Sequence, residues 1–129
     1  MTKVIVNGVF DCVHTGHIML LNFAKQCGHH LLVVIDSDDR VKESKGQQRP
    51  IYDQTQRKFI LENLRPVDQV EIFYSDQELL DLIMTRDIMV KGSDYINQPI
   101  IGRNHIACVF FPRIHEYSTT KIITSIINR

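Results

Sequence analysis

Short apolar runs, many of them β-branched and closed by glycine or a polar residue, alternate along this chain with longer segments of helical periodicity. Val4–Val6 reads as a buried strand ending at Asn7-Gly8. Ile18–Cys27 follows, with Leu20, Leu21, Ala24 and Cys27 at three- and four-residue spacing, so one helix face is apolar and Gly28 stops it. Leu31–Ile35 is a second buried strand, and the polar stretch Asp36–Pro50, with Gly46 and Pro50, reads as a loop. Asp53–Leu64 is a second helix, closed by Pro66, and Gln69–Tyr74 a third strand. Ser75 or Asp76 caps a helix through Leu79, Leu80, Leu82 and Ile83. Ile88–Val90 and Ile106–Phe111 are the fourth and fifth strands, and Ser118 caps a last helix carrying Ile122, Ile123, Ile126 and Ile127.

Strands that alternate with helices form βαβ units, and such units form a parallel sheet. The expected architecture is α/β: one Rossmann-like domain over residues 1–129, a five-stranded parallel sheet flanked by helices. In such sheets ligands bind beyond the carboxyl ends of the strands. That selects four segments: Asn7–His17, Asp36–Pro50, Lys91–Tyr95 and Pro112–Thr120.

Composition removes several classes of function. Lys plus Arg and Asp plus Glu each number 15, so the chain lacks the overall basic charge of a nonspecific nucleic-acid binder. Cys12, Cys27 and Cys108 form neither a CxxC pair nor an even set, which argues for reduced thiols and a cytoplasmic location. The first residues lead straight into Lys3-Val4-Ile5-Val6 with no signal-peptide pattern, and no apolar run approaches the ~20 residues of a membrane helix. Nucleic acid and membrane are therefore not expected partners.

The selected segments hold the chemistry. Asn7-Gly8-Val9-Phe10-Asp11-Cys12-Val13-His14-Thr15-Gly16-His17 joins a strand to a helix. Gly8 and Gly16 let backbone approach a ligand, and a helix start offers unpaired N–H groups to a phosphate. His14 and His17, three apart, fall on one side of that helix start and can donate to phosphoryl oxygens as charge develops. An isolated pair of this spacing usually means nothing, and zinc would need further ligands at suitable spacing. The junction context favours phosphate, although the segment is not a Walker A loop. Ser118-Thr119-Thr120, with Arg113 upstream, is either a second phosphate cradle or an ordinary cap. Lys45, Arg49 and Arg57 are either phosphate-facing cations or a solvated charge cluster. Lys91-Gly92-Ser93-Asp94-Tyr95 turns at glycine, and Asp94 either binds a ligand hydroxyl or forms the turn. All four fall at carboxyl ends of one sheet, which points to a nucleotide-phosphate site.

Gly8-Val9-Phe10-Asp11 and His14-Thr15-Gly16-His17 together resemble the GxFDxxHxGH signature of the cytidylyltransferase-like nucleotidyltransferases, and Ser118-Thr119-Thr120 resembles the family's second signature. The likeness runs from about Val4 to Ile127. Within the family, the Asn7-Gly8 start, Lys45-Gly46-Gln47-Gln48-Arg49-Pro50 and Val90-Lys91-Gly92-Ser93-Asp94-Tyr95 resemble the heptose 1-phosphate adenylyltransferases more than the glycerol-3-phosphate cytidylyltransferases. Glu116 stands where the family usually has glycine.

The resemblance implies transfer of a nucleoside monophosphate from an NTP, ATP or CTP, to a phosphorylated sugar or polyol. ATP with heptose 1-phosphate is the first reading, and CTP with glycerol 3-phosphate the alternative. A noncatalytic nucleotide sensor is a more distant one. The resemblance further implies that His14, His17, Lys45 and Arg113 carry the reaction. Gly8, Val9, Phe10, Gly16, Lys91, Gly92, Asp94 and Ser118 to Thr120 would hold the nucleotide. Asp11, Lys45, Arg49 and Arg57 would meet the acceptor. Mg²⁺ is the implied cofactor and a homodimer the implied assembly.

Overall fold

The computed structural model describes residues 1–112 and Ile123. In chain order the elements are β1 (Lys3–Gly8), α1 (Thr15–Gln26), β2 (His30–Asp36), α2 (Asp38–Lys45), α3 (Gln54–Glu62), β3 (Gln69–Phe73), α4 (Asp76–Ile83), β4 (Ile88–Gly92), a 3₁₀ turn (Ser93–Tyr95) and β5 (Ala107–Phe111). The strands form one parallel five-stranded sheet in the order β3-β2-β1-β4-β5. The expected alternation of elements is thus observed. The expected last helix lies outside the described residues, apart from Ile123.

The strands are apolar on both sides because helices cover both faces of the sheet. Val4, Val6, Leu31, Val33 and Ile35 pack with Leu21 and Ala24 of α1 and Leu61 of α3. Ile5, Leu32, Val34 and Met89 pack on the opposite face with Leu79 and Ile83 of α4. Burial of this kind contributes roughly 25 cal/mol per Å² of apolar surface, so these two layers hold the sheet rigid under its carboxyl edge.

One expectation needs correction. Asp36–Pro50 is not wholly a loop, because α2 occupies its first half. Ser37 caps the helix, Asp38 and Asp39 sit in its first turn, and Lys42 and Lys45 sit in its last. Charges so placed complement the helix dipole. Val41 is the buried residue of α2, so the segment carries no apolar stripe for periodicity to detect.

The order of strands sets the position of the cleft. The connection from β1 leads to β2 on one side, while β4 lies on the other. The crevice at this switch point opens beyond Gly8 and Gly92, between the two outgoing loops.

Candidate active site

The loop after β1 is held in an unusual shape. Phe10 and Cys12 both have φ of 52°, a left-handed conformation that non-glycine residues rarely adopt and that costs of order 1–3 kcal/mol each. Surrounding contacts fix it. The Asp11 carboxylate, 2% exposed, accepts from the backbone N–H groups of Ile51 (2.6 Å) and Tyr52 (3.0 Å), with Arg49 Nε 3.8 Å away. Arg57 is fully buried and donates to the carbonyls of Val9 (3.0 Å), Asp36 (2.9 Å) and Tyr52 (3.0 Å) and to the Asp38 carboxylate (2.8 Å). One guanidinium therefore ties together the loop after β1, the end of β2, the start of α2 and the segment before α3. The assignment of Arg57 to the acceptor is corrected accordingly: its donors are engaged inside the protein. The Asp11 carboxylate is engaged in the same way, although the residue borders the cleft.

At the start of α1 the two histidines cap the helix reciprocally. His14 is the N-cap, and its Nδ1 accepts from Gly16 N–H at 3.1 Å. His17 Nδ1 accepts from His14 N–H at 3.2 Å. A ring nitrogen that accepts carries no proton, so in the neutral ring the proton resides on Nε2. The backbone thus selects one tautomer for both imidazoles, and each presents an Nε2–H donor. The rings pack with centroids 3.9 Å apart, and Phe10 lies 5.2 Å from His17. Burial, and secondarily the proximity of His14, lowers the pKa of His17 to about 4. At neutral pH His17 is a hydrogen-bond donor without charge.

These groups face a cleft of about 550 Å³ at the switch point. Gly8, Val9, Phe10, His14, Gly16 and His17 line one wall, Lys45 and Arg49 a second, and Lys91, Gly92 and Asp94 a third. Lys91 is 9% exposed; its Nζ donates to Asn7 Oδ1 at 3.3 Å and lies 4.4 Å from the Tyr95 ring centroid. Burial pushes the Lys91 amine below its ordinary pKa, and Asp36 is the foremost of the charges that oppose this. A Cβ on Gly92 would sit 2.7 Å from Asp94 Oδ1, so a side chain there would push that carboxylate from its place over the strand end. The structure therefore brings most of the sequence-selected residues to one cavity. Arg113, Ser118, Thr119 and Thr120, with Glu116, lie outside the described residues.

Asn7, Asp36, Ser44 and Tyr95 also line the cleft; they fall within the selected segments, but the sequence reading gives them no individual role. A signal existed for two of them. Asn7 and Asp36 continue the every-second-residue series of Ile5 and of Leu32 and Val34, so both end an apolar strand face with a polar side chain at the carboxyl edge.

Residues 5–129 match the family model described as cytidylyltransferase-like. The chain belongs to the cytidylyltransferase-like family. Among curated proteins, it is 40% identical over 125 residues to the Bifunctional protein HldE of Helicobacter pylori strain P12, covering 95% of this chain and 27% of that protein. It is 42% identical over 125 residues to the protein of the same name from Campylobacter jejuni strain RM1221, with the same coverage. The chain thus spans about a quarter of the length of these relatives. Its fold is similar to the crystal structure of the lipopolysaccharide core biosynthesis protein from Thermoplasma volcanium, with a TM-score of 0.72, 25% identity, and coverage of 88% of this chain and 98% of that one. Cytidylyltransferase-like proteins are nucleotidyltransferases, and the cleft, rich in hydrogen-bond donors, suits that chemistry. No helix among the described residues is long and apolar enough to cross a membrane.

Proposed function

We propose that this chain transfers the adenylyl group of ATP to heptose 1-phosphate, releasing pyrophosphate and forming ADP-heptose. The observation that carries the reading is the convergence of the paired Nε2–H donors of His14 and His17 with Lys45, Arg49 and Lys91 on one cleft. The likeness to proteins named HldE, and the KGQQRP and VKGSDY segments, favour a sugar phosphate and ATP over glycerol 3-phosphate and CTP.

In this reading an oxygen of the acceptor phosphate attacks the α-phosphorus in line, and the bond from that phosphorus to the bridging oxygen of the β-phosphate breaks. The protein contributes position and electrostatics rather than a covalent intermediate. His14 and His17 donate to the non-bridging oxygens on which charge grows, without giving up a proton. Lys45 and Arg49 hold the acceptor phosphate, and Lys91 the nucleotide. Arg113 and Ser118–Thr120 receive the departing pyrophosphate. Among the described residues no three His, Cys, Asp or Glu side chains cluster as a metal cage. Mg²⁺, which in nucleotide enzymes rides largely on phosphate oxygens and water, is the proposed cofactor. The working assembly is a homodimer in the cytoplasm.

The test is a matrix of ATP, CTP, GTP and UTP against heptose 1-phosphate, glycerol 3-phosphate and related phosphates, scored by pyrophosphate release. Turnover is expected with ATP and heptose 1-phosphate. Turnover with CTP and glycerol 3-phosphate, and none with ATP and any sugar phosphate, reverses the assignment.

A further inference from the structure

Three carboxylates border the cleft, those of Asp11, Asp36 and Asp94, and each carries the wrong sign for phosphate. Asp36, the last residue of β2, lines the cavity on the same sheet face as Asn7 and Lys91. Its side chain is 21% exposed. Arg40, one turn along, places Nε 3.4 Å from Asp36 Oδ2, reaches Asp76 at 3.0 Å with its other arm, and lies 4.8 Å over the Phe73 ring. The carboxylate is thereby oriented and its charge partly compensated. Its second oxygen, Oδ1, accepts no hydrogen bond from any described residue.

We infer that Asp36 is a specificity-determining residue that accepts hydrogen bonds from the ring hydroxyls of the sugar acceptor; this rests on the sugar-phosphate reading above. A carboxylate repels phosphate, so the corner it occupies receives the part of a ligand that bears none. Arg40 beside it and the Lys91 amine near it already compensate its charge, which disfavours a cationic ligand there. What remains is a neutral donor, and a pair of sugar hydroxyls matches a carboxylate edge. Both the acceptor sugar and the ribose of the nucleotide carry such hydroxyls. Position favours the acceptor. Asp36 leads through Ser37 into α2, which carries Ser44 and Lys45 to the same cavity, whereas Lys91–Tyr95 approach it from across β1. A ligand with its phosphate at Lys45 and Arg49 brings its ring toward Asp36.

The experiment compares the wild-type chain with Asp36→Ala and Asp36→Asn. Steady-state KM is measured for heptose 1-phosphate, for ATP and for 2′-deoxy-ATP, and melting curves check that each variant is folded. Heptose 1-phosphate analogues lacking one ring hydroxyl at a time are given to the wild type, so that one arm needs no variant. Hydrogen bonds to a charged group support a loss of ~10- to 100-fold. That loss is expected in kcat/KM for the acceptor with Asp36→Ala, carried mainly by KM, with a smaller loss for Asp36→Asn and KM for ATP within about twofold of wild type. One deoxy analogue should bring wild type and Asp36→Ala to the same kcat/KM. An unchanged acceptor KM in a folded Asp36→Ala enzyme overturns the inference and leaves the adenylyltransferase reading intact. A rise confined to the KM of ATP, reproduced by 2′-deoxy-ATP on the wild type, overturns it in favour of ribose. A wild-type chain that turns over no sugar phosphate defeats both.

Discussion

At the scale of single residues, the histidine pair is the most exacting part of the site, because each ring is fixed by a backbone amide of the same turn. If these donors stabilise charge that grows only in the transition state, removing one depresses kcat more than it raises KM. His17→Ala should lower kcat on the order of 10²–10³-fold while leaving the far-ultraviolet circular dichroism unchanged. His105→Ala, on an exposed residue away from the cleft, is the control. A second expectation concerns pH. The folded pKa of His17, about 4, lies below the ordinary value of 6.5, so the unfolded chain takes up the proton first. This group therefore leaves stability unchanged above about pH 6.5 and erodes it as pH falls toward 4. Thermal melting between pH 7 and 4.5 should show a decline that is smaller in His17→Ala, and activity should show no inflection from His17 between pH 6 and 8. The sequence singles these two residues out through their context, two glycines at a strand-to-helix junction, rather than through spacing alone, and the structure places both on the cleft wall. The role of Arg57 is not legible in the sequence, for an equally physical reason. A sequence shows that a cation is present but not whether buried carbonyls surround it.

At the scale of elements, the first strand-to-helix loop keeps its left-handed residues because other elements hold it. Removing the Arg57 side chain would leave the Val9, Asp36 and Tyr52 carbonyls and the Asp38 carboxylate without their donor. Loss of one partner from such a buried set typically costs about 3–5 kcal/mol. Arg57→Ala should show that loss in urea unfolding, together with reduced kcat in whatever fraction stays folded, and Arg57→Lys should recover part of the stability only. The five strands could be read from their apolar runs, and α1, α3 and α4 from periodicity and caps. Helix α2 could not, because charge placement and a serine cap make it rather than an apolar face. The end of β2 correspondingly reads as the start of a loop, and the sequence reading gives Asp36 no individual role within it.

At the scale of the whole molecule, ligand and fold should be linked. If ATP binds only the native state, a concentration of one hundred times its Kd adds ~2.7 kcal/mol to the free energy of unfolding. A clear rise in Tm with ATP is the expected outcome, and the further rise that ATP gives to protein already saturated with pyrophosphate should be smaller. The proposed dimer has its own test. Tyr52 and Phe59 stand 40% and 66% exposed beside one another on α3 and the segment before it, and sedimentation at micromolar concentration should return twice the monomer mass.

The sheet is also unevenly stitched. Strand β1 pairs with β2 along its whole length, from Lys3 to Gly8, but with β4 only at Val4 and Ile5. The first seam joins neighbours in sequence, whereas the second closes a loop of most of the chain, the kind of pairing that forms late and slowly. The β1–β2–β3 side can therefore assemble early, and the β4–β5 side docks onto it last. The crevice between Gly8 and Gly92 exists only once that docking is complete. In hydrogen exchange the amides at the β1–β4 seam should open at lower free energy than those of β2, so that the chain loses its ability to bind nucleotide while much of its sheet is still folded.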